Sequence, residues 1–119
     1  MNKSLLILLF AFISVTGLAQ TSRATHFNLD KKVAIQGYDP VAYFVQKKAV
    51  KGKSTLASTY DGVVYYFSSQ ANKDLFLKNP SSYEPQYGGW CAFAMGDYGE
   101  KVEINPETFK IIDGKLYLF

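Results

Sequence analysis

The chain has 119 residues, 13 of them basic and 10 acidic for a formal charge of +3, and it contains one cysteine and one histidine. So even a charge balance excludes the strongly basic surface of a nucleic-acid or membrane-surface binder. A single cysteine excludes an internal disulfide, and the length accommodates one domain rather than two.

Residues 1–19 read as a secretory signal peptide. Lys3 supplies the positive start, Leu5 to Val15 is almost wholly apolar, and Gly17-Leu18-Ala19 offers small residues for cleavage before Gln20. The apolar run is shorter than the roughly 20 residues that span a bilayer. The expectation is therefore an exported protein, periplasmic or secreted, with no stable membrane insertion once the signal is removed. No cysteine follows the cleavage position, which argues against a lipid anchor. Residues 20–31 are polar and unpatterned and read as a linker; His26 lies within them. The domain then occupies residues 32–119.

Within the domain, Val33 to Ile35 is a short apolar stretch before Gly37-Tyr38-Asp39-Pro40. Asp39 suits a helix N-cap and Pro40 a first helical position, so a short helix is expected over Pro40 to Val45. Lys47 to Lys53 carries four lysines and reads as a solvated loop. Thr55 to Tyr60 and Val63 to Phe67 are β-branched and aromatic runs around Asp61-Gly62, the signature of a type I′ hairpin. Ser68-Ser69 caps a helix from about Gln70 to Lys78, which Asn79-Pro80 ends. Tyr83 to Tyr87 leads into Gly88-Gly89, expected as a turn, and Trp90 to Met95 reads as a short helix stopping at Gly96. Asp97 to Thr108 is a polar loop, and Phe109 to Ile112 with Leu116 to Phe119 forms a second hairpin around Asp113-Gly114. That strand is still apolar at Phe119, so the domain is expected to be truncated there. No internal repeat is visible. Two hairpins and about three short helices indicate a small single α+β domain, with most of the 17 aromatic residues after position 19 forming its core.

The residue that invites chemistry is Cys91, set in Tyr87-Gly88-Gly89-Trp90-Cys91. A lone cysteine among Trp90, Phe93 and Ala94 can be a small buried apolar residue, and burial would silence it. Just after two glycines and near a helix start, it can instead be a thiolate stabilised by free backbone N–H groups, with the glycines letting a partner approach closely. No CxxC exists, so redox chemistry would need a thiol partner protein. The soft or borderline metal ligands are Cys91, Met95 and His26. Cys91 and Met95 are four apart, which shares a helix face and suits Cu(I). The chain has no second histidine, Ser-x-x-Lys or Gly-x-Ser-x-Gly, and Gly88-Gly89 lacks the lysine of a phosphate loop; hydrolase and nucleotide chemistry find no residues here.

Taken together, Gly37-Tyr38-Asp39-Pro40-Val41-Ala42-Tyr43-Phe44, Tyr65-Tyr66-Phe67-Ser68-Ser69, Phe76, Pro80, Tyr83, Gln86 to Ala92 and Asp113 to Leu118 resemble the YHS-domain family, in its exported single-domain branch. Metal-handling members, such as those attached to copper-transporting ATPases, have cysteines at positions that correspond to Ala42, Ser68 and Asn72. None of these can supply a thiolate. The exported branch retains the glycine-glycine-aromatic-cysteine segment, and in some relatives a selenocysteine stands at the cysteine position. The resemblance thus implies a heavy-metal-associated binding or accessory module, copper favoured, centred on Cys91 and not turning over a substrate. The alternatives it leaves are a thiol-based redox protein with Cys91 as the reactive group, and a non-catalytic interaction domain using exposed Tyr and Trp side chains.

Overall fold

The computed structural model describes residues 23–119, so the expected signal peptide lies outside the described residues. The strongest organiser is the hairpin of β3 (Lys53–Tyr60) and β4 (Val63–Phe67). Asp61 and Gly62 both take positive φ, 47° and 83°, as the type I′ turn requires. Alternation in β4 buries Val63, Tyr65 and Phe67 on one face. Against that face packs helix Gln70–Lys78, whose N-terminus is capped by Ser69 accepting from the Asn72 amide at 3.2 Å. Phe76 of this helix lies 4.9 Å from the Tyr65 ring and 5.1 Å from the Phe67 ring. Burying such a side chain contributes about 1.5–3 kcal/mol.

Two strands that no sequence pattern announces complete this sheet. β1 (Leu29–Asp30) pairs antiparallel with β2 (Val33–Ala34), and β2 pairs parallel with β4 at Val33 and Val64, giving the order β1-β2-β4-β3. Two further α-helices within the domain are α1 (Ala42–Val45) and α3 (Ala92–Asp97), with the Gln70–Lys78 helix as α2 between them. β5 (Phe109–Ile112) and β6 (Lys115–Leu118) form the second hairpin, tied to the rest through Leu116 and Leu118, both fully buried. The Tyr43 hydroxyl donates to the Pro106 carbonyl at 2.7 Å, and its ring meets Phe109 edge-on, which fastens α1 to this hairpin. The fold is the expected small α+β domain.

Several boundaries differ from expectation, the last strand by one residue at each end. α1 begins at Ala42 rather than Pro40, with Val41 already in helical conformation, while Asp39 makes the expected cap by accepting from the amides of Val41 and Ala42. β3 starts at Lys53, through a bulge before Ala57, since Gly52 presses so close that a Cβ would sit 2.5 Å from the Tyr66 backbone. α3 starts at Ala92 and runs through Gly96, because a left-handed turn leaves Trp90 and Cys91 outside it. Finally, the segment expected as a linker is docked in its described part. Residues 23–26 are helical, Phe27 and Leu29 pack on the core, and β1 follows.

An internal repeat, which the residues alone hide, emerges in the backbone. Residues 33–67 and 85–119 follow the same path, shifted by 52 positions so that Gly37 answers to Gly89. Ile35, Gln36 and Gly37 take φ of 56°, 51° and 84°; Tyr87, Gly88 and Gly89 take 57°, 61° and 84°. Tyr38 donates to Ile35 as Trp90 does to Tyr87, Asp39 to Val50 as Cys91 to Val102, and Gln46 to Ala42 as Tyr98 to Ala94. Lys47 and Gly99 share positive φ, and the Asp-Gly hairpin turns coincide. Val33 bridges Val64 in parallel, and Pro85 bridges Leu116 in parallel. Each unit is a strand residue, a left-handed turn, a short helix and a hairpin. The first is followed by α2.

Candidate functional site

The site begins with the turn of the second unit. Three successive positive φ values carry the chain from Tyr87 to Gly89, after which Trp90 is extended, at φ −81° and ψ 162°, and Cys91 stands in the cap position before α3. The Cys91 amide donates to Val102 at 2.9 Å, and its carbonyl accepts from Met95 at 3.0 Å. Its side chain makes no cap bond. The thiol is free and half-buried at the margin of the core. Met95, one helical turn on, is also half-buried, while Phe93 and Tyr98 are each 59% exposed and meet edge-to-face. Lys101 reaches over the Trp90 ring at 5.9 Å.

The close approach that Gly88 and Gly89 permit is used by the chain's own N-terminal arm. A Cβ on Gly88 would stand 3.3 Å from the Phe27 Cα and 3.4 Å from the His26 oxygen. The Asn28 amide donates to Gly88 at 2.9 Å, its side chain to Gly89 at 3.1 Å, and the Trp90 indole to the His26 carbonyl at 2.9 Å. His26 is thereby held at the Cys91 segment by its backbone, with the residue itself exposed. Arg23 pairs with Glu84, which also accepts from the Tyr65 hydroxyl at 2.6 Å, and the Arg23 guanidinium lies over Phe27 and Tyr60. Burial holds the Glu84 carboxyl above its ordinary range, outweighing its Tyr65 and Arg23 partners. Burial and then the Glu84 charge push the Tyr65 hydroxyl well up. The Asn28 side chain, 2.7 Å from Glu103, holds that carboxyl below its usual range.

In the first unit the equivalent of Cys91 is Asp39, fully buried. One carboxylate oxygen accepts from the amides of Val41 and Ala42 at 2.8 and 3.2 Å. The other accepts from the Ser68 amide, the Ser68 hydroxyl and the Asn72 side chain at 2.8, 2.7 and 2.8 Å. Asn72 reaches on to Gln46 at 3.2 Å. Sequence reasoning assigned Asp39 a cap and missed the hub; a buried asparagine on the inner face of α2 is the signal that could have found it.

A family model, YHS domain, matches residues 41–87. The chain carries a YHS domain. No curated protein and no solved structure matches it.

The matched stretch of the YHS domain runs from the amide that Asp39 caps, through β3, β4 and α2, to the first residue of the second turn. Ala42, Ser68 and Asn72, the three positions where resemblance to metal-handling members would put cysteines, do converge, and they converge on Asp39. They do not fit a soft metal there. Ala42 offers only an amide, Ser68 and Asn72 both act as donors, and the carboxylate already accepts five bonds, so a cation would have to displace a satisfied buried network. Cys91, Trp90 and Met95 lie downstream of the matched stretch. Among the described residues no three His, Cys, Asp or Glu side chains gather into a metal-holding group.

Proposed function

We propose that this YHS-domain protein is an exported accessory module that binds a soft metal ion, Cu(I), through Cys91. The observation that carries the reading is a thiol the fold does not use: Cys91 is free, half-buried and makes no cap bond. Cu(I) accepts few ligands and prefers sulfur, and the Met95 thioether stands one helical turn away. His26 is the remaining borderline donor attached to the segment. Because the ligand is a thiolate, uptake releases a proton and strengthens as pH rises. Export is supported by the leader pattern of residues 1–19.

Titration of the chain from Gln20 onward with Cu(I), against a competing chromophoric chelator, is expected to give one equivalent bound. Cys91→Ser should abolish binding and Met95→Leu should weaken it about tenfold, the loss of one of two soft ligands. Full binding by Cys91→Ser would refute the reading. The same unpaired thiol supports a second reading, exchange with a partner protein's thiol, since the chain has no other cysteine. Under it Cys91 reacts with an alkylating probe faster than free cysteine near neutral pH, and Cu(I) gives no protection.

A further inference from the structure

The two units close their left-handed turns in different ways. The first is sealed from within: the Gly52 amide donates to the Gly37 carbonyl at 2.8 Å, beside the bond from Asp39 to Val50, so that Tyr38 and Lys51 form an antiparallel bridge. The residues that answer to Gly52 and Gly37 in the second unit are Ile104 and Gly89. There the bond from Cys91 to Val102 is kept at 2.9 Å, but the Ile104 amide donates to the Glu103 side chain at 3.0 Å. The Gly89 carbonyl accepts from the Asn28 side chain at 3.1 Å, and the same side chain donates to Glu103 at 2.7 Å. One residue of the N-terminal arm is thus inserted where a single backbone bond stands in the first unit. The arm holds all three residues ahead of Cys91: Gly88 through the Asn28 amide, Gly89 through its side chain, and the Trp90 indole through the His26 carbonyl. Its far end is pinned by Arg23 on Glu84, with the guanidinium over Phe27 and Tyr60.

We propose that residues 23–28 are a strap that holds the Cys91 turn in one of two arrangements. Docked, the strap wedges Asn28 between Gly89 and Glu103. Released, it lets the Ile104 amide donate to the Gly89 carbonyl, and the second turn seals itself as the first does. Gly89 and Ile104 are both buried, and a buried carbonyl deprived of its donor is costly, so departure of Asn28 leaves these two groups to each other. Glu103 is exposed and turns to water. The backbone path required is the one that Gly37 already follows, at the same φ of 84° as Gly89. Phe27 is the only large apolar side chain among residues 23–28, the other anchors being Arg23, Asn28 and a carbonyl, so release uncovers little apolar surface. The consequence for the site rests on Cys91 being the functional group. With the strap off, the Trp90 indole and the Gly88 backbone beside the thiol are free, and a metal donor or a partner's thiol takes the close approach that the arm now occupies.

Two variants test the strap from opposite ends. Arg23→Gln unpins it and leaves every group at the turn in place; Asn28→Ala removes the wedge itself. Wild-type protein should show no scalar coupling across a hydrogen bond from the Ile104 amide nitrogen to the Gly89 carbonyl carbon. In Arg23→Gln, and more strongly in Asn28→Ala, that coupling should appear by NMR, the fluorescence of Trp90 should move to longer wavelength, and Cys91 should alkylate several-fold faster. Leu75→Ala, which thins the packing of α2 against the core, should do none of this, and so separates release of the strap from general loosening. Absence of the coupling in both strap variants, an alkylation rate equal to that of wild type, or a Leu75→Ala protein that behaves as they do overturns the proposal. The coupling is read without metal. A chain that shows it yet binds no Cu(I) would refute the copper reading and leave the strap standing.

Discussion

The Asp39 turn and the Cys91 turn share a backbone and part ways in chemistry. Each ends a left-handed turn on a glycine at φ 84°, passes through an extended aromatic residue, and donates its amide to a valine carbonyl before a short helix. At Asp39 the side chain is absorbed into the fold by five donors; at Cys91 it packs at the margin of the core and makes no cap bond. A repeated scaffold thus carries a buried carboxylate at one position and a thiol at the other, and Ser68 and Asn72, after the first hairpin, are what fix the carboxylate.

The largest test of that contrast is Asp39→Ala. It strands buried donors on Ser68, Asn72, Val41 and Ala42, and an expected loss of about 3–5 kcal/mol should appear in urea unfolding. Cys91→Ser should change stability by less than about 1 kcal/mol, and in the favourable direction if serine takes up the vacant cap. Comparable losses at both positions would break the comparison.

Gly88→Ala should come next, costing about 1–2 kcal/mol because φ is 61° and the new Cβ meets Phe27. Its counterpart Gln36 tolerates a side chain, which reaches out to the Ile104 carbonyl. The smallest effect is in pH. Glu84 has a folded value above its ordinary 4.5, so its contribution is complete below 4.5 and is lost as pH rises through the raised value. Glu84→Gln should accordingly flatten the decline in stability over that interval, measured as unfolding midpoint against pH; an unchanged slope would show that the carboxyl titrates normally.

Much of the frame was legible in the residues. Asp61-Gly62 and Asp113-Gly114 announce both hairpins because only a few residue pairs accept two positive φ values, and Ser69 with Asn79-Pro80 brackets α2. The repeat was not, since its identical residues are confined to Gly37/Gly89, Ala42/Ala94, Val50/Val102, the Asp-Gly turns, Tyr65/Tyr117 and Phe67/Phe119. What recurs is a sequence of dihedral signs and amide bonds, satisfied by Lys47 in one unit and Gly99 in the other. Cys91 was legible as the odd sulfur, and the segment's glycines as a place of close approach. The docked arm was hidden because its anchors, Arg23 and Asn28, are polar residues whose partners lie 61 positions away.

That separation has a kinetic consequence. The arm binds β2 of the first unit through β1 and the turn of the second unit through Asn28, yet each unit can form its hairpin from neighbours in sequence. Closing so long a loop comes late in folding, and the same contacts are the first that subglobal opening releases. The Asn28 amide proton should therefore exchange with deuterium ahead of those in β3 and β4, timing how often the two halves of the molecule let go of each other.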